Sequence, residues 1–179
     1  MIQAGYKKIP YNDVFYMKKL LLIFIVSRLT ISILMIERRD SFMKFSFELG
    51  VNTTPDKIWP LYANVNEWFK WESDLKDISL NGEFVKGSTG TMELDGQPPI
   101  VFELVSVEEN KCFCDKTSIP GLGDIYFDHK IIEGVDQSII KHTVELKNAK
   151  TTEGNINFLN QVFRDVPMSI LSIKELVEK

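Results

Sequence analysis

Residues 153–179 read EGNINFLNQVFRDVPMSILSIKELVEK. Within them Phe158, Val162, Val166, Ile170, Ile173 and Val177 recur at helical spacing, and Leu159, Phe163 and Leu171 widen the stripe. Such a stripe predicts one long helix that must bury a face. Pro167 falls inside the run, where it removes a backbone hydrogen bond and predicts a kink.

The partner for that face lies upstream. Residues 75–80, 89–94, 100–107, 112–118, 124–132 and 138–147 read as short strands. The turns between them are Asn81-Gly82, Asp95-Gly96-Gln97-Pro98-Pro99, Glu108-Glu109-Asn110, Ile119-Pro120-Gly121-Leu122-Gly123 and one around Gly134-Val135. Short strands with tight connections form an antiparallel meander. Ahead of them Phe45, Phe47, Leu49 and Val51 alternate with Lys44, Ser46, Glu48 and Gly50, the period of a half-buried strand. Thr53-Thr54-Pro55-Asp56 then opens a short helix carrying Ile58, Trp59, Leu61 and Tyr62, and a second short helix follows over 65–71. The expected fold is α+β: a helix-grip arrangement, with a curved antiparallel sheet wrapped around a long C-terminal helix and two short helices after the first strand. Gly87 and Gly90 supply no phosphate loop and are expected to permit sheet curvature.

The chain divides into a 1–42 extension and a 43–179 domain. Residues 17–39 hold Lys18-Lys19, an apolar run from 20 to 26, Arg28, a second apolar run from 31 to 36, and Glu37-Arg38-Arg39. Three readings stay open: an over-long start with Met43 as initiator, a leader, or a membrane anchor. Arg28 and the missing small-residue cleavage site count against the last two. Localisation is expected to be cytoplasmic, or membrane-anchored or exported if residues 17–39 act as such a segment.

The net charge of −4 hides a split: the first 42 residues carry 7 Lys and Arg against 3 Asp and Glu, which leaves 14 against 22 for the rest. An acidic domain is a poor partner for nucleic-acid phosphates. Cys112 and Cys114, the only cysteines, share a strand face and diverge, so neither a disulfide nor a thiolate metal site is expected. No cofactor is implied.

In element order the domain resembles the START-like, or SRPBCC, superfamily, in particular its polyketide cyclase/dehydrase and lipid-transport branch. The resemblance rests on Trp59, on Trp68 and Trp71 with Glu72, and on Gly87-Ser88-Thr89-Gly90. It continues through Pro120-Gly121, Phe127-Asp128-His129 and His142-Thr143-Val144-Glu145. It implies a cavity between sheet and helix for hydrophobic compounds, with the loops at 95–99 and 118–123 as its gate. In some members it implies a cyclisation chemistry.

His129 and His142 are the only histidines. A two-residue turn at Gly134-Val135 would set Phe127 opposite His142 and His129 opposite Ile140, placing both histidines diagonally on the inner, apolar face. There each is a hydrogen-bonded structural anchor involving Asp115, Thr117 or water, a ligand contact, or a general base. A metal would need a third ligand, and Glu103 faces outward beside Phe102 and Leu104. The expected lining is Trp59, Trp68, Trp71, Phe102, Leu104, Phe113, Phe127, His129, His142, Phe158, Val162, Val166 and Ile170. The three tryptophans serve equally as seats for the short helices. The first expectation is binding of an apolar or amphipathic small molecule. The alternatives are a cyclase/dehydrase-type enzyme with a histidine base, and an interaction module whose cavity has collapsed.

Overall fold

The structure is a computed structural model that describes residues 42–135 and 137–179. The readings made above for residues 17–39 lie outside the described residues. Seven antiparallel strands form one sheet: β1 (Phe42–Val51), β2 (Leu75–Leu80), β3 (Thr89–Leu94), β4 (Ile100–Glu108), β5 (Cys112–Ile119), β6 (Gly123–Glu133) and β7 (Ser138–Lys147). Their order across the sheet is β1-β7-β6-β5-β4-β3-β2. The meander thus runs unbroken from β2 to β7, and β1 closes onto β7. Between β1 and β2 come α1 (Pro55–Ala63) and a 3-10 helix (Val65–Lys70).

The long C-terminal helix is interrupted just ahead of Pro167, into α2 (Glu153–Phe163) and α3 (Val166–Val177), with Arg164 and Asp165 between them still in right-handed helical conformation. Pro167 stands in the first turn of α3, where its missing N–H would have had no intrahelical partner. The Asp165 carbonyl accepts bonds from the Met168 and Ser169 amides, each at 3.0 Å. The interruption expected at Pro167 is thus present, directly ahead of the proline. α2 is capped by Thr152, whose hydroxyl accepts from the Asn155 amide at 3.2 Å.

Register on the inner face also differs from expectation. The β6–β7 turn spans residues 134–137, with Glu133 opposite Ser138 and the Gly134 amide bonding the Gln137 carbonyl at 2.8 Å. A turn two residues longer shifts the pairing by two. His129 faces His142 directly and Phe127 faces Val144, while side-chain parity, and hence the face, is unchanged.

The core has two lobes. The larger gathers Tyr62, Trp68, Trp71, Phe102, Leu104, Phe113, Ile140, Ile170 and Ile173, and the smaller gathers Ile125, Val144, Leu146, Ala149 and Leu159. Val166 packs against both. At the far end of the chain Lys174 donates to the Gly50 carbonyl at 3.0 Å and Glu178 accepts from the Asn52 amide at 2.6 Å, pinning α3 to the end of β1. None of the described helices is long and apolar enough to cross a membrane.

Gly90 has a more specific role than curvature. A Cβ there would meet Phe102 Cζ at 2.3 Å and the Ser79 carbonyl oxygen at 2.4 Å. The Phe102 ring can approach β3 this closely only because position 90 has no side chain. Gly90→Ala is expected to lower the free energy of unfolding by about 1–3 kcal/mol, the usual range for overpacking. Urea denaturation reads this directly, and an unchanged midpoint would mean that the ring moves aside freely.

Candidate functional site

The inner face of the sheet carries a row of aromatic and imidazole rings. Phe113, His129 and His142 sit at consecutive paired positions on β5, β6 and β7, and Phe47 on β1 pairs with His142. The Phe113 ring stacks on His129 with centroids 4.1 Å apart and planes at 4°, and the two histidine rings meet edge to face at 4.3 Å. Trp71 presents an edge-to-face contact to both imidazoles at 6.0 Å. Tyr62, at the end of α1, closes the row: its hydroxyl and His142 Nε2 lie 2.8 Å apart in a buried hydrogen bond whose donor depends on the imidazole tautomer.

Both indole N–H groups on the short helix and its cap are committed to backbone. Trp68 donates to the Tyr62 carbonyl at 2.9 Å and Trp71 to the Leu61 carbonyl at 3.0 Å. These bonds lock the 3-10 helix under α1. Trp59 is half-buried at the margin, edge-on to Phe84. Phe102, Leu104, Phe113 and Ile170 belong to the larger lobe, whereas Phe127, Phe158 and Val162 are half-buried around the smaller one. The expected lining residues therefore fall into two groups, joined through Val166. The larger lobe is filled by its own rings. Two surface hollows, of about 390 Å³ along residues 118–124 with Asn148 and about 300 Å³ around Asn52, residues 132–135, Gln137 and Ile139, are lined by none of the expected residues.

Where the two lobes meet the face turns polar. Phe113, Asp115 and Thr117 occupy one side of β5, and Asp115 pairs with Phe127 while Thr117 pairs with Ile125. Asp115 is 2% exposed, Thr117 5% and His129 7%. Asp115 Oδ1, Thr117 Oγ1 and His129 Nδ1 have no hydrogen-bond partner among the described residues. His129 Nδ1 and Asp115 Oδ2 are 3.9 Å apart, too far for a hydrogen bond.

Nor are they an ion pair. Burial pushes the Asp115 carboxyl up to about 8, its own backbone amide offsetting a little, and burial pushes His129 down to about 3 against a small opposing effect of the Phe127 carbonyl. At neutral pH the carboxyl keeps its proton and the imidazole is uncharged. His142 is lowered well below the usual histidine range by burial and then by His129, and Tyr62 is raised above the usual phenol range by burial and then by Glu72. Half-buried Glu72 is pushed up to about 8 by desolvation first, then by Asp74, with Asp115 and Asp165 adding to it. The Ser169 hydroxyl, 3.3 Å from Glu72 Oε2, works the other way.

Of these groups Tyr62 and Glu72 were not expected at the site, and Asp115 and Thr117 were expected there only as hydrogen-bond partners of the histidines. The signal for Asp115 and Thr117 was present: both follow Phe113 at a period of two, so whatever face Phe113 takes they share.

The element order, the seven-stranded antiparallel sheet and the C-terminal helices packed on it define a helix-grip fold. Among solved structures, Ara h 8.0201 matches with a TM-score of 0.60 at 16% identity, covering 76% of this chain and 98% of its own. Norcoclaurine synthase from Thalictrum flavum in complex with dopamine and hydroxybenzaldehyde matches at 0.59 and 16%, covering 77% and 87%. The Aha1 dimer from Colwellia psychrerythraea matches at 0.56 and 18%, covering 76% and 96%. At these identities the likeness is one of fold. No protein-family profile matches the chain, and no curated protein does.

The buried acids and imidazoles give stability a defined pH dependence. The unfolded chain loses the Asp115 proton near pH 3.8, whereas the folded protein holds it to about pH 8. Over that interval the folded state binds more protons, so this group makes stability fall as pH rises. His129 acts oppositely between pH 3 and 6.5, because there the unfolded chain binds the extra proton. Above pH 6.5 the carboxyls act alone. Stability is expected to decline from pH 6.5 to 8, with Asp115 contributing up to about 1.4 kcal/mol per pH unit. Asp115→Asn should flatten the decline and be the more stable form at pH 8, as measured by urea unfolding at each pH. Parallel profiles for the two proteins would contradict the assignment.

Proposed function

We propose that residues 43–179 form a binding domain for a hydrophobic or amphipathic small molecule, held between the sheet and the C-terminal helices with its polar end at Asp115, Thr117 and His129. The observation that carries this reading is the trio of buried polar atoms without partners. Each such atom costs about 1–3 kcal/mol if left unpaired. Three together are comparable to a large part of the 5–15 kcal/mol or so by which a whole domain is stable. Groups of that cost are expected to find partners in the working protein. Half-buried Phe127, Phe158, Val162 and Val166 offer the apolar body of a ligand its surface beside them. A protein of this fold that holds dopamine and hydroxybenzaldehyde supports the reading by analogy of architecture.

The geometry favours binding over acid–base catalysis by the histidines. An effective general base has a pKa near the working pH. His142 is displaced downward and its partner Tyr62 upward, so the bonded pair is poised on neither side of neutrality.

The uncharged dye N-phenyl-1-naphthylamine tests the site. Its fluorescence should rise on addition of the full chain, and Val162→Trp, which fills the apolar side of the site, should weaken binding by about tenfold, or 1.4 kcal/mol, without lowering the melting temperature. No rise with the parent protein, or equal binding by Val162→Trp, sinks the proposal and favours a packed interaction module.

A further inference from the structure

We infer that the polar end of this site selects a cationic head, so that the preferred ligand is an amphipathic amine carried on an apolar body. The inference rests on the binding reading above and adds a charge to it. The groups facing the site from each packed element are Tyr62 on α1, Glu72 after the 3-10 helix with Asp74 beyond it, Asp115 and Thr117 on β5, His129 on β6, His142 on β7, and Asp165 between α2 and α3. Of the carboxyls in that set only Asp165 has a cation beside it among the described residues, the exposed Arg164 at 3.4 Å. Each lysine and arginine among the described residues is exposed or half-buried. The half-buried ones are engaged elsewhere: Lys116 with Glu103, Lys141 with Glu48, Lys147 with Glu145, and Lys174 with the Gly50 carbonyl and Glu178.

A carboxylate head would therefore enter beside two acids with no positive group to meet it. An alcohol could pair with Asp115 Oδ1, Thr117 Oγ1 or His129 Nδ1 but would gain only hydrogen bonds. An ammonium gains those bonds to Asp115 and Thr117 and the attraction of a carboxylate in a poorly solvated site. The step balances simply. A protonated amine binds, the Asp115 carboxylic acid gives up its proton to solvent, and an ammonium–carboxylate pair remains. Because free Asp115 holds its proton to about pH 8, binding at pH 7 releases close to one proton per ligand. His129 and His142, already neutral, take no part in that exchange.

Calorimetry on the full chain at pH 7 with n-decylamine, 1-decanol and sodium decanoate, each below its aggregation concentration, separates the possibilities. Decylamine should bind at least about tenfold tighter than decanol and decanoate weakest of all. Titrations in two buffers of different ionisation enthalpy should show the released proton. Asp115→Asn should bring decylamine to within about threefold of decanol, and should abolish the proton release. Glu103→Gln on the outer face should leave both unchanged. Decanol or decanoate binding as tightly as decylamine, or an amine preference that survives Asp115→Asn, overturns the cationic-head inference while leaving the binding site intact. Failure of all three ligands to bind removes the site itself.

Discussion

The hydrogen bond between Tyr62 and His142, 2.8 Å long and closed to water, is the tie on which the interior is organised. It fixes the C-terminal end of α1 to the middle of β7. From that end the chain continues directly into the 3-10 helix, whose Trp68 and the adjoining Trp71 donate back to the carbonyls of Tyr62 and Leu61. A phenol, an imidazole and two indoles thus satisfy one another and the backbone in a region that would otherwise hold unpaired donors. Phe113, stacked on His129, and Ile170 and Ile173 from α3 then pack around a framework whose position is already set. The larger lobe is consequently dense and specific, with its hydrogen bonds accounted for.

The other side of His129 is different. Satisfaction stops at Nδ1, and from there along β5 the polar atoms of Asp115 and Thr117 continue without partners. The contrast lies between neighbouring rows of one sheet face, which is why it points to function and not to careless packing: the row through Phe113, His129 and His142 is closed by Tyr62, while the next positions along β5, Asp115 and Thr117, stay open. Keeping Asp115 protonated and both imidazoles neutral lets the domain carry four ionisable side chains, counting Tyr62, at almost no cost in buried charge. The remaining cost is in hydrogen bonds, and a ligand head can remove it.

Much of this fold was legible in the sequence because it is written in periods. The alternation of Phe45, Phe47 and Leu49, the turn residues between strands, and the stripe from Phe158 to Val177 specify a meander and a helix with facing apolar sides. Parity also placed His129 and His142 on the inner face. What periods cannot encode is offset. Gly134-Val135 looks like a two-residue turn, yet the loop takes four residues, and the histidines move from diagonal to opposed. Pro167 likewise marks an interruption without fixing its extent; Arg164 and Asp165 stay helical and the Asp165 carbonyl accepts two amides, so the break is short. Asp115 was legible only as a hydrogen-bond partner for the histidines. The structure sets it 3.9 Å from His129 and leaves its Oδ1 unpaired, a distance that no sequence pattern encodes.

That last point bears on what kind of protein this is. A buried carboxyl with no partner is tolerated in two situations, as a poised acid or as a waiting counter-ion. For a poised acid, the acceptor that takes its proton should lie within hydrogen-bonding reach. His129 is the nearest basic group, but at 3.9 Å and held far below neutrality it is a poor acceptor. For a counter-ion, what matters is that no other cation competes and that the charge is created only when it is needed. The half-buried lysines all face other carboxylates or backbone, and burial keeps Asp115 neutral until something positive arrives. The arrangement thus separates an acid that acts on a neighbour from one that answers a ligand, and Asp115 has the surroundings of the second.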